Sequence, residues 1–197
     1  MITDEHMEWA TVDRMRRMLT DVRGDYKVTH TYALFTTILC WVMQRIRTND
    51  AGQIDRQAQS VLGTLEKEPI SDKPWEICTR GADDQQLVQG FHRHGPFPDF
   101  DGFTAARFLA ALRNATAHGD ARNITPVNRG GILVGHEFSC SEKKGGCETW
   151  SGKIVLKRRD MQRIGKALAD CYCAALADRR NGGTDPNFEA DARKIRE

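Results

Sequence analysis

The chain has 197 residues, 40% of them hydrophobic and 28% charged, an apolar content sufficient for a packed core that excludes an intrinsically disordered chain. At this length one compact domain buries about 70% of the surface of its unfolded chain, so neither disulfides nor a structural metal is required to complete a core. Lys plus Arg number 29 against 27 acidic residues, and the resulting net charge of +2 excludes the strongly basic balance by which many nucleic-acid-binding domains are recognised.

The opening run MITDEHMEWATVDRMRRM carries charges every few positions and no apolar stretch of signal-peptide length. The longest apolar run, residues 32–43, is interrupted by Thr36 and Thr37 and falls short of the ~20 residues of a membrane span. The expectation is a cytoplasmic protein that makes no membrane contact.

Met7, Ala10, Met15, Met18, Leu19 and Val22 recur near helical spacing and predict an amphipathic helix over residues 4–22, with Gly24 as its stop. From Lys27 to about Arg47, Tyr32, Phe35, Ile38, Leu39, Val42, Met43 and Ile46 follow a three-to-four residue period and predict a central core helix. Ala58, Val61, Leu62 and Leu65 predict a shorter helix over residues 54–65, ended by Pro69. Residues 70–90 hold a short segment at 75–78 and at most one helical turn.

Residues 91–102, FHRHGPFPDFDG, contain two prolines, two glycines and no period, and read as a loop. Alanines and leucines then predict a helix over 104–118, with Gly119 at its C-terminal end. Two β-branched and aromatic runs, ILVGHEF and ETWSGKIVL, flank a polar SEKKGG turn and predict a β-hairpin at about 131–156. A last helix, 160–177, carries Met161, Ile164, Leu168, Cys171, Tyr172 and Leu176 on one side, and residues 181–197 read as a tail. The fold class is mainly α, an antiparallel bundle of about five helices with a small hairpin inserted before the last. It divides into an N-terminal helix (1–24), a helical domain (25–180) and the tail.

Within the helix over 104–118, Arg113, Asn114 and His118 form an R-N-x-x-x-H pattern followed at once by glycine. The pattern, a long apolar helix some 70 residues upstream, and the hairpin and helix that follow resemble the HEPN superfamily, in a bacterial or plasmid-borne branch, over residues 25–178. The resemblance implies a helical bundle, usually a homodimer, and in many members a metal-independent endoribonuclease such as a toxin or phage-defence effector. It implies no cofactor, RNA as substrate, and an antitoxin or nucleotidyltransferase as a possible partner. The alternative from another class is a non-catalytic HEPN-like module that binds RNA, nucleotide or a partner protein.

The residue types suit the chemistry. A near-neutral histidine at 118 can move the 2′-hydroxyl proton or protonate the leaving oxygen, Arg113 can hold the extra negative charge at phosphorus, and Asn114 can position a phosphate oxygen or the imidazole. Asn114 and His118 lie about 40° apart on an ideal helix, in a polar line with Ala111, Arg107 and Thr104 opposite a core stripe of Phe108, Leu109, Leu112 and Ala115. That line reads as a face free for a ligand or for a two-fold partner. Arg113 and His118 lie about 140° apart, so either the helix distorts at Gly119 or two chains complete the site.

Weaker RNA contacts are expected from Arg107, from His92, Arg93 and His94 among the aromatics Phe91, Phe97 and Phe100, and from Lys157 and Arg158. The six cysteines, Cys40, Cys78, Cys140, Cys147, Cys171 and Cys173, are dispersed and read as mostly free thiols. His136, Cys140 and Cys147 with Cys171 or Cys173 offer soft zinc ligands, and Cys140 with Cys147 a hairpin disulfide, although the spacing fits no standard zinc knuckle.

Overall fold

The computed structural model describes residues 4–47, 56–77, 91–93, 103–117, 123–144 and 147–177. Among them are α1 (Asp4–Thr20), α2 (Lys27–Arg47), α3 (Arg56–Leu65), β1 (Phe91–Arg93), α4 (Ala105–Ala117), β2 (Ile124–Arg129), β3 (Ile132–Lys144), β4 (Cys147–Lys157) and α5 (Arg158–Ala175). Helix outweighs strand, as a mainly α chain requires, and each helix lies within a few residues of its sequence signal. The tail falls outside the described residues.

The sheet is larger than the expected hairpin. Four antiparallel strands run in the order β1-β4-β3-β2. The β3–β4 pair is the hairpin read from the sequence, and β2 adds to it through a two-residue turn. Arg129 pairs with Ile132, and Gly130 and Gly131 between them both have positive φ, 58° and 79°. A turn with positive φ at both central positions matches the right-handed twist of its strands and favours glycine at both. Pro126 and Asn128 weaken the strand signal of β2, but at a sheet edge a proline costs no ladder bond on its outer side. The loop reading of residues 91–102 is also corrected at its start: Phe91, His92 and Arg93 pair with Ile154, Lys153 and Gly152 as an edge strand. Three residues carry no period of their own; the open edge of β4 supplies the partner.

Alternation places His136, Phe138 and Cys140 of β3 on the same face as Ile154 and Leu156 of β4, and this face packs on the helices. Phe138 meets Phe35 edge-on at 6.3 Å and Tyr32 at 6.3 Å. The opposite face carries Glu137 and Lys153, which form an ion pair at 2.9 Å.

A single core runs through the helices and the inner sheet face, and α1 belongs to it through Val12 and Leu19. Polar ties fix α1 to α5: Trp9 Nε1 donates to the Cys173 carbonyl at 3.2 Å and Gln162 Nε2 to the Leu19 carbonyl at 2.9 Å. The Asp13 carboxylate, 5% exposed, accepts from Arg16 at 2.5 Å and Arg17 at 2.7 Å, and Arg16 reaches on to Asp170. A buried charge is tolerable only when paired in this way. The segment after α3 is pinned as well. Trp75 is fully buried and donates to Glu68 at 2.8 Å, while Arg163 of α5 donates to the carbonyls of Pro74 and Trp75.

Helix α5 comes close to α1 and α2 at Gly165, where a Cβ would lie 2.7 Å from Leu19 Cδ2 and 3.1 Å from Phe35 Cδ2. Both neighbours are fully buried, so neither can swing into water. Gly165→Val is therefore expected to destabilise the fold by about 2 kcal/mol through overpacking, read as a lower midpoint in urea. An unchanged midpoint would show that the three helices are not in this contact.

Candidate functional site

Helix α4 lies between α2 and the sheet and is more deeply buried than its polar line suggests. Phe108, Leu109, Leu112 and Ala115 are in the core as expected, but so are Ala105, Ala106, Ala110 and Ala111. Ala111 is 6% exposed, which breaks the expected free face between Arg107 and Asn114. The reason is size: alanine lets a neighbour close over a helix face that a larger polar residue would hold open. Arg107 lies across the Phe103 ring, 4.7 Å from its centroid. The expected polar line is thus broken at Ala111, and near the C-terminal end of α4 Arg113, Asn114 and Thr116 are half-exposed and Ala117 is exposed.

Arg113 turns toward α2. Its Nη2 donates to Gln44 Oε1 at 2.6 Å and its Nη1 to Asn114 Oδ1 at 3.3 Å. Both acceptors are neutral amides, and among the described residues no carboxylate pairs with this guanidinium. Its orientation is set while its charge is left for an anion.

On α2 the residues Tyr32, Thr36, Cys40 and Gln44, spaced four apart, form a row of neighbours that winds about 120° round the helix; the first three are half-buried and Gln44 is exposed. Burial pushes the Cys40 thiol up while the Arg113 charge pulls against it, and burial followed by the nearby Cys40 raises the Tyr32 phenol. At the other end of the stripe His136 of β3 stacks on Tyr32, with centroids 4.1 Å apart and planes at 26°. His136 Nδ1 is shielded and has no hydrogen-bond partner, and burial lowers the pKa of the imidazole. The site so assembled draws on α2, α4 and β3. Helices α2 and α4 contain no Asp or Glu, in a chain with 27 acidic residues, so an anion approaching the seam meets no carboxylate from either helix.

Of the residues read from the sequence, Arg113 and Asn114 are brought together and His118 lies outside the described residues, as does His94. His92 and Arg93 are placed by backbone pairing at the β1 edge, opposite Lys153 and Gly152. Lys157 pairs with Gly135 at the end of β4, on the sheet face away from His136, and with Arg158 opens α5. Gln44, Cys40, Tyr32 and His136 were not read as parts of this site. The available signals were the four-residue polar spacing inside an apolar helix and the absence of acids from both helices.

The cysteine alternatives are corrected by the register. Cys147 pairs with Lys144, whereas Cys140 lies four residues along β3, opposite Gly152. Four strand residues span ~13 Å, beyond the ~7 Å limit between Cα atoms of a disulfide. The same span separates Cys140 from His136, too far for one zinc ion. Burial pushes both the Cys140 and the Cys173 thiols up to about 12. Among the described residues no group of three His, Cys, Asp or Glu side chains is placed to hold a metal, and no helix is long and apolar enough to cross a membrane.

No family model matches the chain, and neither a curated protein nor a solved structure matches it.

The buried imidazole gives the site a pH signature. His136 has a folded pKa below 6.5, so the unfolded chain binds the proton more tightly. Its contribution to stability is complete above that value and is lost as pH falls through it toward the lower folded value. On going from about pH 7.5 to about pH 5.5 the wild type should lose more melting temperature than His136→Phe, which keeps the ring stack but does not titrate. Parallel losses in the two proteins would place His136 in water.

Proposed function

We propose that the chain is a metal-independent endoribonuclease of the HEPN type. The observation that carries this reading is Arg113, held in position by two neutral amide oxygens on a pair of helices without acidic residues. Such a guanidinium is suited to a phosphodiester, because its orientation precedes binding and no internal carboxylate competes. In this reading the substrate's own 2′-hydroxyl attacks phosphorus and the 5′-oxygen leaves, so the strand itself supplies the nucleophile and DNA is inert. His118 moves the proton, Arg113 holds the negative charge that builds at phosphorus, and Asn114 positions a phosphate oxygen. Gln44 is a positioning residue that acts through Arg113. A homodimer would bring two such sets together, and an antitoxin or nucleotidyltransferase partner would suit a toxin.

Cleavage of a labelled single-stranded RNA by the purified chain should persist in EDTA. His118→Ala should lower the rate by at least ~100-fold, the low end for a positioned acid or base. Arg113→Ala should lose as much, while Gln44→Ala should lose ~10-fold in rate with little change in melting temperature, since it removes orientation rather than charge. Wild type and His118→Ala equally inert, with RNA binding that still depends on Arg113, would instead identify a non-catalytic RNA-binding module.

A further inference from the structure

The polar stripe of α2 does not end at Arg113. Gln44 and Tyr32 are twelve residues apart, which on a helix is ~18 Å along the axis and about 120° round it, so a strand following the row winds with it. One end carries the guanidinium of Arg113 and the other the stacked rings of Tyr32 and His136. Between them lie Thr36 and Cys40, both half-buried; the Thr36 hydroxyl is turned back onto the carbonyls of Tyr32 and Ala33. The floor between the two ends is thus neutral and small. Stacked nucleotides rise ~3.4 Å each and extended ones about twice that, so the stripe matches ~3 to 5 nucleotides of a single strand.

We propose that the Tyr32–His136 pair is a nucleobase subsite of the Arg113 centre, so that single-stranded RNA lies along α2 with a phosphate at Arg113 and a base against His136. The inference rests on the reading of Arg113 as a phosphate-binding group. Three features favour a base at this end. The rings of Tyr32 and His136 are already stacked, and Phe138 lies against the Tyr32 ring, so a platform exists before binding. His136 is only half-buried, and its shielded Nδ1 has no hydrogen-bond partner, so no polar contact of that nitrogen has to be given up when a base arrives. Finally, Glu137, the acidic neighbour of His136, points to the other sheet face and is paired with Lys153. An aromatic surface whose acidic chain neighbour is turned away and paired suits a base carried on an anionic backbone.

The test uses the full chain and two fluorescent strands of equal length and charge, a non-cleavable 2′-O-methyl hexanucleotide and an abasic counterpart. Wild type should bind the base-bearing strand at least ~10-fold more tightly, within the range measured for one stacked base. His136→Ala and Tyr32→Leu should reduce that preference to less than ~3-fold, and His136→Phe should retain it. If His136→Ala fails to fold, His136→Gln, which keeps the length but not the ring, must show the same loss. Full preference in these variants, with Arg113→Ala weakening both strands alike, would overturn the subsite and leave the phosphate reading standing. Binding of neither strand by the wild type would overturn the phosphate reading and the subsite with it.

Discussion

Helix α2 has to be buried on two sides at once. Phe35, Ile38, Leu39, Val42 and Met43 are fully covered, with α1 and α5 packed on one flank and α4 and the inner sheet face on another. A helix enclosed in this way keeps one water-facing strip, here His30, Ala33, Thr37 and Gln44, and the half-buried row Cys40, Thr36 and Tyr32 leaves that strip at Gln44 and forms a seam winding toward the sheet. The side chains available to a ligand follow from that constraint. Arg113 is oriented because its partner Gln44 belongs to the rigid central helix, and His136 is stacked because Tyr32 does. The close contact at Gly165 serves the same end, since it presses α5 onto the back of α2 at Phe35, next to the phenylalanine that supports the Tyr32 ring.

Most of the helical framework is legible in the sequence, because the core positions of α2, α4 and α5 recur at helical spacing and nothing in those segments competes with the helix. The sheet is legible only where strands alternate strongly. β3 and β4 do, whereas β2 contains Pro126 and β1 has only three residues; both are strands because a neighbour offers an edge. The site is less legible still. Arg113 and Asn114 are adjacent in the chain and can be read as a motif, but Gln44 meets Arg113 across 69 residues and Tyr32 meets His136 across more than 100. Tyr32 also fits the core period of α2, and only its contact with β3 shows that the ring lies at the margin. Ala111 is the opposite case: it stands in a polar line by spacing and is buried by packing, because a methyl group fits wherever a neighbouring element comes close.

The difference between a charged and a neutral partner decides what Arg113 is able to do. An arginine paired with carboxylates, as Arg16 is with Asp13 and Asp170, is consumed structurally: its charge is matched, and its removal would leave the buried Asp13 with Arg17 alone. Gln44 and Asn114 accept hydrogen bonds from Arg113 without matching its charge. The two arginines therefore have opposite roles, one holding α1 to α5 and the other presenting a cation at the edge of the core.

The two ends of the seam also depend on each other through the backbone of α2. The position of Arg113 relative to His136 is fixed by a single rigid helix and by the packing of α4 and β3 against it, not by a loop. Positions set by packed elements hold within a fraction of an ångström, whereas loops permit larger excursions. A strand bound at both ends would therefore meet a fixed spacing between the guanidinium and the imidazole. Discrimination among strands at this seam would then rest on whether the bases between the two ends can span that distance, a property of the nucleic acid's own stacking as much as of any single side chain.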